Sequence, residues 1–304
     1  MMLFMTSMAW ADDAVIDGIN YYIYYNPGST TSPSYAEVQK PTSGVYTGAI
    51  TIPEYVSYGT ETNIPVTKIK DEAFKGATIT SVNLPLTLEE IKTQAFDQCA
   101  SLTSITFPEG IRIIGQWAFR GTGISSVTFP GTLQRLYYES FAECPNLTSA
   151  TMAYSAVIPD DGWFYSERKG YLFTDNNVFK GSPLTDLTVD RPWYFTSYSS
   201  SDAPIPTLKN VTFGDHATTI VDCLFKGLTL DKLVIGSGVT EILDYTFVDC
   251  TLPAGVNIPF EQFKTMGSWT FRGCTGLPTE INLAAIEEIG SETATGRDEV
   301  QKMP

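Results

Sequence analysis

Apolar and polar positions follow one fixed period through most of the chain. Phenylalanine marks this period at positions 74, 96, 119, 141, 179, 225, 247 and 271. Their separations are 22, 23, 22, 38, 46, 22 and 24 residues. The value 46 spans two periods, and 38 spans one period plus an insertion in which Phe164 has the expected phase. A period of about 20 to 50 residues is typical of a solenoid, so the chain from about residue 66 onward is predicted to be one array.

Each period has two halves with different patterns. In the first half, apolar residues such as Leu88 and Ile91 precede an Ala-Phe pair, and this spacing indicates a short helical turn with an apolar stripe. In the second half, apolar and polar residues alternate, which is typical of a strand. The strand pattern recurs nine times, at residues 79–84, 102–107, 124–129, 147–152, 184–189, 208–213, 230–235, 252–258 and 277–283.

The repeat length decides the fold class. A unit of about 23 residues cannot bury its own apolar face, but a stack of such units can share one continuous core. We therefore predict an α/β leucine-rich-repeat solenoid of about nine repeats of 22–24 residues. Its parallel β-sheet is expected on the concave side and its short helical turns on the other side.

The regions outside the repeat pattern suggest how the chain is divided. An apolar run ending in Ala9-Trp10-Ala11 precedes two aspartates, as at a secretory cleavage site, although the run is short and lacks a basic start. A misplaced start codon or a stray apolar terminus therefore stays open. The predicted segments are a signal-peptide remnant (1–11), an N-terminal β cap (12–64), a first repeat block (65–152), an aromatic-rich insertion with one or two degenerate repeats (153–207), a second repeat block (208–290) and a C-terminal tail (291–304).

Two motifs carry a family resemblance. Ala95-Phe96-Asp97-Gln98-Cys99 gives the spacing A-F-x-x-C, and residues 102–108 give L-x-x-I-x-F-P. Over roughly residues 66–290 the chain resembles the BspA-like leucine-rich repeats of bacterial surface antigens. The resemblance implies a secreted or surface-displayed bacterial protein with a role in adhesion or host-protein binding.

Composition and charge exclude several classes of protein. With 43% hydrophobic residues the chain is not disordered. Its 19 basic and 34 acidic residues give a net charge of -15, which repels phosphate backbones, so we expect no nucleic acid partner. Apolar runs fall short of the roughly 18 residues that a membrane span needs, so we expect no transmembrane segment.

Cysteine and histidine give little support to a metal or catalytic site. Cys99, Cys144, Cys250 and Cys274 each follow a repeat phenylalanine by three residues, which indicates thiols packed in the interior. We expect them to be free, although Cys250 and Cys274 are in neighbouring repeats and could come within bridging distance. His216 is the only histidine and no C-x-x-C pair exists, so we predict no metal, no cofactor and no catalytic dyad.

Paired carboxylates leave one enzymatic alternative. Glycoside hydrolysis needs two carboxylates and no histidine, and Glu89–Glu90, Asp160–Asp161 and Glu287–Glu288 are the candidates. Adjacent residues point in different directions, so we expect solvated charges instead.

Two surfaces could bind a ligand. Between the buried positions of the predicted strands lie small polar residues such as Ser126 and Thr128, whereas binding hot spots are usually Trp, Tyr or Arg. Aromatic residues concentrate in the insertion, where they either line a binding patch or form its own core. The candidate ligand-binding residues are Trp163, Tyr165, Tyr171, Trp193, Tyr194 and Tyr198.

The sequence thus predicts a non-enzymatic, exported or surface-displayed bacterial protein. Its expected role is a binding or adhesion module for an extracellular host protein or glycan. A structural or assembly component of the bacterial envelope is the alternative, and a carboxylate-dependent hydrolase comes third.

Overall fold

A computed structural model describes residues 10–26, 34–156, 172–174, 177–195 and 203–290. The N-terminal strands are β1 (Trp10–Ile16), β2 (Ile19–Tyr25), β3 (Tyr35–Gln39), β4 (Thr47–Thr51), β5 (Tyr55–Tyr58) and β6 (Glu61–Ile69). The next are β7 (Thr78–Asn83), β8 (Glu90–Ile91), β9 (Ile113–Ile114), β10 (Ser126–Phe129), β11 (Arg135–Leu136), β12 (Ser149–Met152), β13 (Leu172–Thr174), β14 (Asp186–Val189) and β15 (Trp193–Phe195). The last are β16 (Asn210–Phe213), β17 (Thr219–Ile220), β18 (Lys232–Ile235), β19 (Glu241–Ile242), β20 (Thr265–Met266) and β21 (Glu288–Ile289), and a 3-10 helix spans Phe260–Gln262.

The first strands lead from an antiparallel into a parallel arrangement. Asp17 and Gly18 both have positive φ, 51° and 79°, which suits the tight turn between β1 and β2. Strand β2 pairs antiparallel with β1 and with β3, and β3 then pairs parallel with β6. The segment predicted as an N-terminal β cap (12–64) therefore contains most of β1, all of β2 to β5 and the start of β6.

Two parallel sheets run along the array. The first sheet has the order β1-β2-β3-β6-β8-β9-β11-β13-β15, and a four-stranded sheet of β17, β19, β20 and β21 follows it. The second sheet has the order β10-β12-β14-β16-β18, and β4 pairs with β7 separately. The repeats of Phe119, Phe141 and Phe225 each contribute one strand of two residues to the first or the four-stranded sheet and one strand of four residues to the second sheet. The predicted repeat solenoid with parallel strands is confirmed.

The sequence pattern located most of the longer strands. Six of the nine predicted segments overlap with a strand, namely β7, β10, β12, β14, β16 or β18. No strand is assigned in residues 102–107, 252–258 or 277–283. Pro253 and Gly255, whose φ is 71°, interrupt the second of these segments. In the first, the bond from the Ser125 N–H to the Thr103 carbonyl is long, at 3.4 Å.

The segments around the repeat phenylalanines are hydrogen-bonded turns, and the predicted helical turns are not confirmed. Backbone N–H groups alternate between two kinds of partner. Ala73, Lys75 and Ala77 donate to carbonyls three residues back, whereas Glu72, Phe74 and Gly76 donate to Thr93, Ala95 and Asp97 of the next repeat. Because every second N–H leaves its own repeat, a helix cannot propagate. We call this set of bonds the turn ladder.

The turn ladder requires a special backbone conformation. Residues two before and two after a repeat phenylalanine have left-handed φ, as at Gln94 (56°) and Gln98 (62°) around Phe96. Such a conformation costs an ordinary residue about 1 kcal/mol. The bonds from Gln94 and Gln98 to the next repeat, at 2.8 and 2.7 Å, offset this cost.

The repeat phenylalanines form two stacks inside the turns, one from Phe74 to Phe179 and one from Phe225 to Phe271. All eight are at most 4% exposed. Ring centroids are 4.8 Å apart for Phe74–Phe96 and 5.0 Å for both Phe96–Phe119 and Phe119–Phe141. Across the insertion the stack loosens, since Phe141 and Phe179 are 6.3 Å apart and tilted by 40°. The other neighbouring rings have centroids 4.8–5.0 Å apart, close to the roughly 4.8 Å between neighbouring strands. The phenylalanine side chains therefore stack in the same register as the backbone.

Replacing Phe119 with alanine should remove a ring with stacking partners on both sides and leave a cavity. We expect the free energy of unfolding to fall by roughly 3–5 kcal/mol, measured by chemical denaturation. Thr128→Ala, on the exposed side of β10, is the control and should change it by less than about 0.5 kcal/mol. Equal losses in the two variants would contradict the role of the stack.

Candidate binding surface

The solvent side of the first sheet carries large side chains in one row. Successive strands place them next to each other in register. The Lys68 ammonium lies over the Tyr35 ring, 5.9 Å from its centroid, and joins the row across the bulge between β3 and β6. We call this set the outer row; it consists of Tyr24, Tyr35, Lys68, Glu90, Ile113, Arg135, Phe173 and Tyr194. All eight are half-buried.

The central residues of the outer row are the first residues of two-residue strands, at a fixed distance before the repeat phenylalanine. The second residue of each two-residue strand is apolar and lies five positions before the repeat phenylalanine; Ile91, Ile114 and Leu136 are examples and are at most 1% exposed. The residue before it points to the opposite face. The sequence carried this signal at a constant phase, but a two-residue strand is too short for an alternation pattern to reveal.

Tyrosines and lysines pack together at the N-terminal end of the outer row. Tyr24 and Tyr35 stack with centroids 4.4 Å apart and an interplanar angle of 16°. Tyr22 meets the edge of Tyr24 at 5.0 Å. The Lys70 ammonium lies 3.9 Å from the centroid of Tyr22, a cation–π contact. These contacts fix the rings before any partner binds.

Ion pairs neutralise part of the charge in this cluster. The Lys92 ammonium donates to both oxygens of Glu37, at 2.9 and 3.0 Å, and Lys68 pairs with Glu90 at 3.0 Å. Burial opposes the charged form of Lys92, but the hydrogen bond and charge of Glu37 raise its pKa overall. Burial, with the neighbouring Tyr24 and Glu37, also raises the pKa of Tyr35, which keeps its phenol neutral. The cluster is therefore a nearly neutral surface in an acidic protein.

The centre of the outer row presents an arginine and a tyrosine together. Arg135 Cζ lies 5.2 Å from the ring centroid of Tyr137, and Arg135 Nη1 donates to the Tyr137 hydroxyl at 3.4 Å. Tyr137 is 38% exposed. Phe173 is the register partner of Arg135 on the next strand. Arginine and aromatic rings thus meet on an accessible surface.

A hydrogen-bond network ends the outer row. The Tyr194 hydroxyl donates to Glu241 Oε2 at 2.6 Å, and Thr219 Oγ1 donates to the same oxygen at 2.9 Å. These bonds connect β15 with β17 and β19. Beyond them the register continues through Thr265 and Glu288.

The structure describes two of the six predicted ligand-binding residues, and it places them on opposite sides of one strand. Trp193 is 1% exposed and its Nε1 donates to Thr174 Oγ1 at 2.8 Å, so its ring is part of the core and not of the surface, contrary to expectation. Tyr194 points to the opposite side of β15 and belongs to the outer row. The other four predicted residues, Trp163, Tyr165, Tyr171 and Tyr198, lie outside the described residues.

The second sheet has a different outer face. Its exposed positions include Ser126, Thr128 and Asp186, and Ser81 and Asn83 are exposed on β7. Strands β7, β10, β12, β14, β16 and β18 contain no Trp, Tyr or Arg. The exposed positions of these strands carry small polar residues, and Tyr and Arg side chains lie on the first sheet instead.

Potential metal ligands do not converge in the described part of the chain. No group of three His, Cys, Asp or Glu residues there could hold a metal ion. His216 lies exposed in a turn, where its Nδ1 is 3.1 Å from Asp190 Oδ1 and its ring stacks on Tyr154. The sequence did not reveal this contact, because the residues are in different repeats. Of the carboxylate pairs, Glu90 binds Lys68, the pair 287–288 is exposed, and the pair 160–161 lies outside the described residues.

Within the described ranges, no helix has the length and apolar character to cross a bilayer.

Aspartates before the repeat phenylalanines connect consecutive repeats. Asp71 Oδ1 accepts the Thr93 N–H at 3.0 Å, and Asp244 Oδ1 accepts the Ser268 N–H at 2.5 Å. At the equivalent position, burial raises the pKa of Asp222 to about 6, with the charges of Asp244 and Glu241 adding to the increase. Backbone N–H groups of Asp222 and Asp244 act in the opposite direction. Ionised Asp222 is therefore a source of instability at neutral pH.

Asp222→Asn should stabilise the protein only where Asp222 is ionised. Its pKa in the folded state exceeds the unfolded value of 3.8, so the unfolded state binds fewer protons and stability falls as pH rises through about 6. We expect the variant to raise the free energy of unfolding by roughly 1 kcal/mol at about pH 8, and to have no advantage below about pH 4. Denaturation across this range, with the exposed Asp231→Asn as control, measures it. A pH-independent gain would contradict this cause.

Trp193→Ala should cost roughly 3–5 kcal/mol of unfolding free energy, since a large buried ring is removed. Trp193→Phe keeps most of the ring but leaves Thr174 without the indole N–H, and should cost about 1–2 kcal/mol. Chemical denaturation of both variants measures the difference. A negligible loss of unfolding free energy for Trp193→Ala would contradict the placement of this ring in the core.

Comparison with known proteins identifies the repeat. The family model described as BspA type leucine rich repeat region matches residues 67–178 and 203–298, with six copies, and these segments cover more than half of the chain. No curated protein sequence matches the chain significantly.

Among solved structures, the chain is similar to a leucine-rich repeat protein from Bacteroides ovatus, at 18% identity and a TM-score of 0.35, with 93% of this chain and 92% of that chain covered. It is also similar to the T. pallidum leucine-rich repeat protein, at 18% identity and a TM-score of 0.41, with 85% and 88% covered. A third is the pneumococcal vaccine antigen PcpA, at 14% identity and a TM-score of 0.42, with 94% and 88% covered.

Proposed function

Because the chain belongs to the BspA-type leucine-rich-repeat family, we propose that it is a non-enzymatic binding module, exported or displayed on the bacterial cell surface. Its partner is an extracellular protein, held on the outer row. One observation carries this proposal: half-buried Tyr, Arg, Phe and Lys side chains stand in register along one face of the first sheet.

The residue types of the outer row are those that dominate protein interfaces. Tyrosine and arginine are enriched at binding hot spots, and both occur here with their side chains already fixed. Tyr24 is held by its stack with Tyr35, and Arg135 by its contact with Tyr137. Rings that are fixed before binding lose little conformational entropy when a partner arrives.

The shape of this surface favours a protein over a small molecule. Eight neighbouring strands at about 4.8 Å give the row a length of about 35 Å, enough for a protein interface of ordinary size. Small ligands need a concave pocket. Two described clefts hold about 190 and 310 Å³, and neither contains a residue of the outer row.

The test is a variant of the row's exposed centre. We expect Arg135→Ala with Tyr137→Ala to reduce retention on arrays of purified extracellular-matrix proteins at least about tenfold. Ser126→Ala with Thr128→Ala, on the other sheet of the neighbouring repeat, is the matched control and should stay within about twofold. Circular dichroism and thermal unfolding of both variants monitor the fold.

Other outcomes would point elsewhere. Equal retention of the two variants would place the interface outside the outer row. Retention on glycan arrays alone would replace the protein partner by a carbohydrate. Concentration-dependent self-association that Arg135→Ala with Tyr137→Ala abolishes, in the absence of any matrix protein, would favour the envelope-assembly role.

A further inference from the structure

The position three residues after each repeat phenylalanine brings side chains of consecutive repeats into contact. Thr122 and Cys144 occupy this position in neighbouring repeats, and Thr122 Oγ1 lies 3.4 Å from Cys144 Sγ. In the following copy, Ser182 Oγ accepts the backbone N–H of Cys144 at 2.9 Å. Small groups at this phase therefore meet directly between repeats.

Two thiols occupy this position in succession at one place only, at Cys250 and Cys274. Their repeats are stacked in register: Phe247 and Phe271 are 4.9 Å apart with an interplanar angle of 7°, and the Thr275 N–H donates to the Cys250 carbonyl at 2.8 Å. A β-bridge joins the next residues, Thr251 and Thr275. In-register neighbours at about 4.8 Å fall inside the Cα separation of about 4.4–6.8 Å that disulfides require.

The two cysteines are neighbours in register. Both are free thiols. Cys250 is fully buried, whereas Cys274 is half-buried. Contact with Cys274 and burial raise the pKa of Cys250. An oxidant from solution therefore reaches Cys274 first.

We propose that Cys250 and Cys274 form a redox pair that closes to an intramolecular disulfide between consecutive repeats. A small-molecule disulfide such as oxidised glutathione is the oxidant. The Cys274 thiolate attacks one of its sulfurs and expels one glutathione thiolate, which leaves a mixed disulfide. The Cys250 sulfur then attacks the Cys274 sulfur and expels the second glutathione, whose thiolate takes up the Cys250 proton. Two protein thiols are oxidised, and one glutathione disulfide is reduced to two thiols.

The cross-link would tie down the weakest part of the described array. Leu277, Ile281, Leu283 and Ile286 follow Cys274 and are only half-buried. Each repeat of a solenoid contacts only its neighbours, so unfolding can begin at an end. A bond between these two repeats stops such fraying at Cys274, which suits a protein in an oxidising environment. This inference does not depend on the outer row.

The full chain, purified in reduced form and incubated with oxidised glutathione, provides the test. We expect the protein mass to fall by two hydrogens without a stable glutathione adduct on Cys274. Trypsin cleaves after Lys264 and Arg272, so the two cysteines fall on different peptides, which mass spectrometry should find joined. We expect the midpoint of thermal unfolding to rise by roughly 5 °C on oxidation.

Variants separate this pair from the other thiols. Cys144→Ser, at the same phase but without a thiol neighbour, should cross-link as the wild-type chain does. Cys250→Ala should instead stop at the glutathione adduct on Cys274. A stable adduct in the wild-type chain, a link from either cysteine to Cys223, or a disulfide between two chains would overturn the proposal. The wild-type result decides it even if a variant fails to fold.

Discussion

Hydrogen bonds that leave each turn for the next repeat are the interaction on which the rest of the structure depends. In the turn around Phe96, the N–H groups of Gln94, Phe96 and Gln98 all reach carbonyls of the following repeat. These bonds leave no freedom to slip, because a shift of one residue would leave backbone groups unpaired. Each repeat must therefore place equivalent atoms directly above those of its neighbour. A unit too small to fold alone acquires its conformation from the unit beside it.

Because the repeats stack in register, residues that recur at the same position of each repeat become neighbours in the folded protein. At the phenylalanine position it produces the buried stack, and three residues later it brings thiol and hydroxyl groups together. At the first position of the short strands it produces the outer row. Core positions are fixed by packing, whereas outward positions are free to vary. Arg135 therefore lies beside Leu136 on one strand, with the leucine buried and the arginine at the surface.

Stacking in register also brings oppositely charged side chains of neighbouring strands together. The chain carries a net charge of -15. At the N-terminal end of the outer row, however, Lys68, Lys70 and Lys92 lie close to the carboxylates of Glu37 and Glu90. Pairing keeps this surface close to neutral, so a partner would not have to strip isolated charges of water. Asp222 shows the opposite situation, because burial and then the charges of two nearby carboxylates oppose its ionisation, which therefore destabilises the fold.

The sequence by itself determined the repeat, its period and the core, because a phenylalanine at constant phase is a strong one-dimensional signal. It also predicted most of the longer strands, such as β10 and β16, from their alternation. It could not distinguish a helical turn from the turn ladder, since the distinguishing bonds join residues about 22 positions apart. Nor could it tell which aromatic residues are exposed: Trp193 and Tyr194 are adjacent, and only the position of β15 beside β13 buries one and leaves the other on the surface. Burial and the outer row depend on neighbours distant in sequence, and only the stacked structure supplies them.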